Sequence, residues 1–311
     1  ESSRVLTEQF SAWWDAADHG LYVENGRVVV QDTLFSGIGT YDAGDYALYA
    51  TGASTVLTVT GSTLEGNAAT GVCVGGGRAS VSASTIQNNG NTGLYFAPDA
   101  SASVISNTIR NNGGIGLFAQ SAVVTATANA FADNAYPLGL TPDVWVSGLR
   151  LSANTFGGTG KNLIYVGGGT VVSDSMVASP VLDYALGGDV VVASGVTLTI
   201  EPGVTLFGES EAELRVLGHL AALGTAAQPI TFTSVADSGP VQWQGLVFEG
   251  GTGVLRHATV RYAGNGNSIL GTGGHRHGSN IAVRNVLSGE VRLESSRVLT
   301  EQFSAWWDAA D

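Results

Sequence analysis

Short apolar runs recur along this chain at a nearly fixed interval, each followed by the same polar punctuation. Ser62-Thr63-Leu64-Glu65-Gly66-Asn67, Ser84-Thr85-Ile86-Gln87-Asn88-Asn89, Asn107-Thr108-Ile109-Arg110-Asn111-Asn112 and Asn129-Ala130-Phe131-Ala132-Asp133-Asn134 align without gaps. Their apolar anchors Leu64, Ile86, Ile109 and Phe131 lie 22, 23 and 22 residues apart. Leu34 fits as an earlier anchor after a longer gap, and Phe156 as a later one. A second run of the type Gly93-Leu94-Tyr95-Phe96 returns at 20–23, 47–50, 71–74 and 116–119. A third, such as residues 56–59 or 123–126, precedes each anchor. Gly, Asn, Ser and Asp separate the runs, and no stretch sustains a helical period of apolar residues. Only residues 7–17 leave a helical turn arguable. Three short strands per interval, without hairpin signals, predict a parallel β-helix in which each coil stacks on the last.

Strand alternation then sets the faces. Leu94 and Phe96 point into the lumen and Tyr95 points out. The middle residues of this run, Tyr22, Tyr49, Cys73, Tyr95 and Phe118, then Gly139 and Ile164, are expected to form an outward row. Exposed aromatic rows mark contact surfaces. This one would meet a neighbouring fibre or a polysaccharide, or pack under a loop of its own chain, with Cys73 partly exposed. Asn67, Asn89, Asn112 and Asn134 each follow an anchor by three residues. That offset suits a left-handed turn residue and a stack of amides bonded along the axis. Segments 166–187 and 263–280 fit the interval poorly and are expected as loops or irregular coils.

A much longer period lies over the short one. Residues 1–18, ESSRVLTEQFSAWWDAAD, return letter for letter as residues 294–311, which sets a period of 293 residues. The expected organisation is one module at 1–293, with 1–187 and 188–293 as sub-regions of a continuous solenoid, and the start of the next identical module at 294–311. A duplication introduced when the chain was made is the alternative. Ser2-Ser3-Arg4-Val5 and Ser295-Ser296-Arg297-Val298 then occupy the same rung in successive modules. Trp13 and Trp14, with their copies Trp306 and Trp307, are assigned to an insertion that leaves the coil and contacts a neighbour or the next module. No amphipathic capping helix stands at either end, so the module is expected to associate with itself head-to-tail.

The Ser-Thr-Ile and Gly-Leu-Tyr-Phe rungs of residues 20–165 resemble the right-handed parallel β-helix proteins of the pectate-lyase-like superfamily. Gly195-Val196-Thr197-Leu198-Thr199-Ile200-Glu201-Pro202-Gly203, Trp243–Phe248 and His257–Gly264 resemble a variant found in large bacterial surface proteins. The resemblance implies an all-β, right-handed parallel β-helix of about a dozen coils per module. It also brings in polysaccharide lyases, hydrolases and epimerases, whose chemistry needs clustered carboxylates for calcium and a basic partner. The Asp-Pro-His-Glu tetrad of the epimerases is absent. Asp42 with Asp45, and Asp15 with Asp18, are the candidate carboxylate pairs, each readable as a solvated turn. His275 and His277 are a weak two-imidazole metal candidate, since two ligands do not make a site. No cofactor is expected, and calcium is a weak possibility at Asp42 and Asp45.

Composition narrows the function. Charged residues are 13% and glycines number 44, while Lys161 is the only lysine. A net charge of −13 excludes a nucleic-acid partner, whose phosphates require a basic face. The single cysteine excludes an internal disulfide, and no apolar run reaches the roughly 18 residues of a membrane span. A regular Thr-x-Thr array, which an ice-binding face would need, does not persist from rung to rung. The expectation is a non-enzymatic structural repeat of an extracellular or cell-surface bacterial filament, stalk or adhesin shaft. The alternative is a carbohydrate-active or carbohydrate-binding protein on the same fold.

Overall fold

A computed structural model describes residues 3–6, 19–39, 45–145, 149–178, 181–264, 269–270, 276–277 and 279–299. The chain is an all-β parallel solenoid of about ten turns. The only helical element among the described residues is a single 3-10 turn at Pro142–Val144. Two compact units divide it, Glu1–Ile164 and Tyr165–Asp311, and the expected boundary at 187/188 falls inside the second.

In the first unit each coil contributes one strand to each of three parallel rows. The first row holds His19–Glu24, Tyr46–Thr51, Thr70–Val74, Leu94–Phe96, Ile115–Ala119 and Tyr136–Leu140. The second holds Arg27–Gln31, Val56–Thr60, Gly77–Ser82, Ala100–Ile105, Val123–Thr127 and Leu149–Ser152. The third holds Ser3–Leu6, Thr33–Ser36, Thr63–Glu65, Thr85–Gln87, Thr108–Arg110, Ala130–Ala132 and Thr155–Gly157. Registers are exact from coil to coil, so lumen residues form columns. Leu48, Val72, Leu94 and Leu117 are one such column, and all four are fully buried. Each full burial of this kind stabilises by about 1.5–3 kcal/mol, realised only when the neighbouring coil is present.

One corner of the first unit is invariant. The last inward residue of the second row and the inward anchor of the third are five apart in every coil: Val30 and Phe35, Val59 and Leu64, Val81 and Ile86, Val104 and Ile109, Ala126 and Phe131, Leu151 and Phe156. A left-handed residue turns the chain two positions after the first of each pair, at Asp32, Gly61, Ala83, Ser106, Ala128 and Ala153. The first-coil anchor is therefore Phe35, which pairs with Leu64 and is buried, and not Leu34, which pairs with Thr63. The fixed five-residue corner decides between the two.

The second unit has three rows of its own. Gly169–Val171, Val190–Val192, Glu213–Val216, Gly245–Glu249 and Ile281–Arg284 form one. Ser175–Val177, Thr197–Ile200, His219–Leu223, Thr252–Arg256 and Val291–Glu294 form another. Tyr184–Leu186, Thr205–Gly208, Ile230–Ser234, Ala258–Arg261 and Arg297–Leu299 run in parallel as the third. Segment 166–187 is thus a coil, not a loop. Its strands are only three residues long, but Val171, Ser175, Val177 and Leu186 all point inward. Within 263–280 the described part is an antiparallel pair, Ile269–Leu270 with Arg276–His277, outside the parallel rows. That excursion and the long connection between Ser234 and Gly245 lie outside the parallel rows, and the turns number about ten against the expected dozen.

Corners in the second unit are built differently. Ala193-Ser194-Gly195-Val196 and Glu201-Pro202-Gly203-Val204 close on themselves, with Val196 N–H donating to Ala193 O at 3.1 Å and Val204 N–H to Glu201 O at 3.4 Å. Gly195 and Gly203 carry φ of 79° and 85°, the third-position glycine that a type II turn requires. Only later does the second unit return to the five-residue corner, with Leu255 and Val260 flanking left-handed His257, and Leu293 and Val298 flanking left-handed Ser295.

Candidate functional site

The first unit carries two features with chemical content: polar columns inside its corners and an aromatic strip outside its first row. The Asn67, Asn89, Asn112 and Asn134 side chains are buried. Asn67 Nδ2 donates to Asn89 Oδ1 at 2.7 Å, Asn89 Nδ2 to Asn112 Oδ1 at 2.9 Å, and Asn112 Nδ2 to Asn134 Oδ1 at 2.9 Å. The second amide hydrogen of Asn89, Asn112 and Asn134 goes to the backbone oxygens of Leu64, Ile86 and Ile109 in the preceding coil. Each Oδ1 also accepts a backbone N–H of the previous coil, beginning with Ile38 at 3.1 Å. The left-handed residue is not the column asparagine but its predecessor: Gly66, Asn88, Asn111 and Asp133. The physical reason is direction. The predecessor turns the backbone so that the following side chain points inward along the axis.

A second column, at the other corner, runs through Ser62, Ser84, Asn107, Asn129 and Asn154. Thr33 N–H donates to Ser62 Oγ at 3.2 Å, Ser62 N–H to Ser84 Oγ at 3.1 Å, and Ser84 N–H to Asn107 Oδ1 at 2.9 Å. Asn107 N–H and Nδ2 both donate to Asn129 Oδ1 at 2.9 Å, and Asn129 repeats the arrangement on Asn154. At each step the backbone N–H of the earlier coil donates to the side-chain oxygen of the later coil, while Asn107, Asn129 and Asn154 Nδ2 donate back to the Val81, Val104 and Ala126 oxygens.

On the outside, the row Tyr22, Tyr49, Cys73, Tyr95, Phe118, Gly139 is in register from strand to strand. Tyr22 and Tyr49 rings lie 5.6 Å apart, and Tyr95 stacks on Phe118 at 5.8 Å. His19 and Tyr46, three positions before Tyr22 and Tyr49, join them, with His19 5.4 Å from Tyr46 and 5.1 Å from Tyr49. Tyr46 faces outward because the corner at the start of its strand places both Ala47 and Leu48 inside. Phe118 leans over Gly139, where a Cβ would meet its ring at 2.6 Å. Ile164, expected to face outward, is buried.

Cys73 is buried, not partly exposed. Its thiol bonds with the Tyr46 hydroxyl beneath the rings, and burial pushes its pKa up to about 12 against the lowering effect of that bond. Burial likewise raises Tyr46 to about 12. A thiol so protonated is a poor nucleophile. Tyr22 is half-exposed, and its hydroxyl donates to Glu24 at 3.1 Å, which raises its pKa. Lys161 Nζ lies over the Tyr136 ring at 5.0 Å and bonds its hydroxyl at 3.0 Å. The strip is therefore an aromatic surface of stacked and tilted rings with hydroxyl, carboxylate and amide groups at its margin, and Tyr95 donates to Gln120 there.

The carboxylate and metal candidates do not assemble into a described centre. Asp45 is buried at the start of its strand, against Gly39, and is not a solvated turn. Its left-handed glycine neighbour leaves the space that the carboxylate fills. Asp42, Asp15, Asp18, His275, Trp13, Trp14, Trp306 and Trp307 lie outside the described residues. His277 lies on the antiparallel pair. Among the described residues no three His, Cys, Asp or Glu side chains converge on a metal position. In the second unit the buried Glu213 carboxylate accepts from Arg215 Nε at 2.6 Å, a pair that sequence spacing did not single out.

No described helix is long and apolar enough to cross a membrane. No curated protein and no solved structure matches the chain. A family model described as a pectate-lyase-like β-helix domain matches residues 169–281, which names a fold and no activity. A second model, described as the right-handed β-helix region, matches residues 19–175, half of the sequence. With its parallel rows, stacked corners and that match, the chain belongs to the right-handed β-helix family.

Proposed function

We propose that this chain is a non-catalytic shaft module of an extracellular bacterial filament, stalk or adhesin, built from head-to-tail copies of itself. One observation carries this reading: the corners of the first unit are bonded to one another from coil to coil by two buried polar columns. A catalytic β-helix needs rigidity around one cleft, whereas these columns stiffen successive coil boundaries along the first unit. Peeling one coil from the next breaks strand bonds in three rows together with side-chain bonds at two corners. Each contributes about 0.5–1.5 kcal/mol net, and a buried amide left unpaired costs more. The exact 18-residue duplication supplies the assembly rule, since a module that begins as its successor begins can be continued by a copy of itself.

The aromatic strip favours a second reading, that the first unit also binds a polysaccharide on these rings. The two readings differ in what the native material looks like. Electron microscopy of that material is expected to show filaments with a regular axial repeat of one module. Discrete particles, together with tight binding to pectin or alginate, would replace the shaft by the polysaccharide reading.

A further inference from the structure

The two described copies of the duplicated strand make different halves of one pairing. Arg4, Val5 and Leu6 pair with Leu34, Phe35 and Ser36, a strand that follows them in sequence. Arg297, Val298 and Leu299 pair with Thr259, Val260 and Arg261, a strand that precedes them. The residues are the same at every position. Building on the shaft reading, we propose that successive modules join through this one strand, which pairs on both edges at once. Val260 stacks on one side of its valine, and Phe35 of the following module stacks on the other.

Three independent features fit the joint. The first is the corner. Leu293 and Val298 are five apart around left-handed Ser295, the spacing that Val30 and Phe35 keep around left-handed Asp32. The following module would therefore set Val30 on Leu293 while setting Phe35 on Val298, with no adjustment of the turn. The second is exposure. Leu293 and Val298 are 50% and 47% exposed, whereas their stacking partners Leu255 and Val260 are buried. In the first unit this column of inward residues is buried from Val30 and Phe35 to Ala126 and Phe131.

The third is hydrogen-bond polarity. Ser296 Oγ accepts from Ala258 N–H at 3.1 Å and bonds Glu294 O at 3.0 Å. Ser62 and Ser84 do the same, each hydroxyl donating to the carbonyl two residues back and accepting an N–H from the earlier coil. Thr33 Oγ1 already donates to Gln31 O at 2.8 Å, which leaves its lone pairs turned as those of Ser62 and Ser84 are. Across the joint, Ser296 N–H donates to Thr33 Oγ1 of the following module, and the hydroxyl column runs on as Ala258, Ser296, Thr33, Ser62 and Ser84 with its polarity unchanged. The Arg256 guanidinium, bonded to Glu294 at 2.7 Å, holds that carboxyl below the usual range and fixes the strand's approach.

The test uses two periods in one chain, residues 1–293 followed by residues 1–311. Cysteines are placed as pairs: Thr259→Cys with Arg297→Cys at the joint, and, separately, Arg297→Cys at the joint with Leu34→Cys of the second period. Neighbouring strands lie about 4.8 Å apart, within disulfide reach. Oxidation is expected to close both pairs, and to leave open a control of Val298→Cys with Leu34→Cys, which face opposite sides of the strand. Failure of either first pair, or closure of the control to the same extent, overturns the joint. Should the variants misfold, amide exchange on the unsubstituted two-period chain decides. Ser296 N–H is expected to exchange at least tenfold more slowly than in the single-period chain, and equal rates refute the joint. Filaments without a closed joint remove this inference and leave the shaft, whereas a closed joint in discrete particles does the reverse.

Discussion

The two units solve the same problem, turning a strand without stranding polar backbone, by opposite means. At two of its three corners the first unit turns on single left-handed residues and hands N–H groups to side chains of the next coil. Its third corner closes within the turn, as where Thr55 N–H donates to Gly52 O and Ala100 N–H to Ala97 O. The second unit closes its corners at 193–196 and 201–204 with bonds inside the turn itself, on a glycine of positive φ. At two of its corners the second unit uses a cross-coil side chain with the polarity reversed, Thr197 and Thr205 N–H donating back to Asp174 and Asp183 at 2.8 and 2.9 Å, whereas Ala258 and Ala263 N–H donate forward to Ser296 and Asn280. A self-closed turn makes no bond that ties its length to that of its neighbour. A turn bonded to its neighbour must repeat in register. The first unit accordingly keeps its five-residue corner through six coils, and the second adopts it only next to the duplicated strand.

Substitutions can break this comparison in order of expected effect. Trp243→Ala removes a fully buried indole that covers Gly208 and donates to Arg261 O at 2.9 Å. Denaturation should show about 3–5 kcal/mol lost in the second unit. Amide exchange should show the first unit unchanged, and equal loss in both would mean the units do not fold separately. Asn112→Ala leaves donors and acceptors of three coils unpaired and should cost about 2–4 kcal/mol, localised to the first unit.

Asn112→Asp sharpens the point through pH. A carboxylate there would face the Ile86 and Asn134 oxygens that the amide now serves, so its folded pKa is raised above the unfolded value. The folded state then binds the proton more tightly, and the deficit relative to the parent should shrink as pH falls from about 7 to about 4. A deficit that grows on acidification would refute the acceptor environment. Gly195→Ala tests the other kind of corner. A Cβ there meets open space, so the positive φ alone should cost about 1–2 kcal/mol, confined to the second unit. The smallest effect is a gain. Ala83 holds a φ of 48°, and Ala83→Gly should stabilise the first unit by about 0.5–1 kcal/mol, read as a small rise in denaturation midpoint.

How much of this was legible depends on which residues carried the pattern. Leu64, Ile86, Ile109 and Phe131 were readable because one apolar side chain fills the lumen once per coil. The first coil slipped by one residue, since Thr33-Leu34 copies the later Ser-Thr-Leu spelling while the corner actually counts from Val30. The second polar column was hidden by its mixed composition, serine in some coils and asparagine in others, although the chemistry is one. Coil 166–187 was hidden by its three-residue strands, too short for alternation to show. Burial of Cys73 was not readable from its strand at all. It depends on Tyr46, whose ring faces outward only because a corner places two consecutive residues inside.

Hydrogen exchange on the intact chain tests the contrast between the corners most directly. The N–H groups of Ser62, Ser84, Asn89, Asn107, Asn112 and Asn129, each held by a side chain of the next coil, should exchange only through large-scale opening of the first unit. Those of Val196 and Val204, held only within their own turns, should exchange much faster through local opening. Comparable rates at the two sets of corners, or faster exchange in the first unit, would contradict the claim that its buried columns lock one coil to the next.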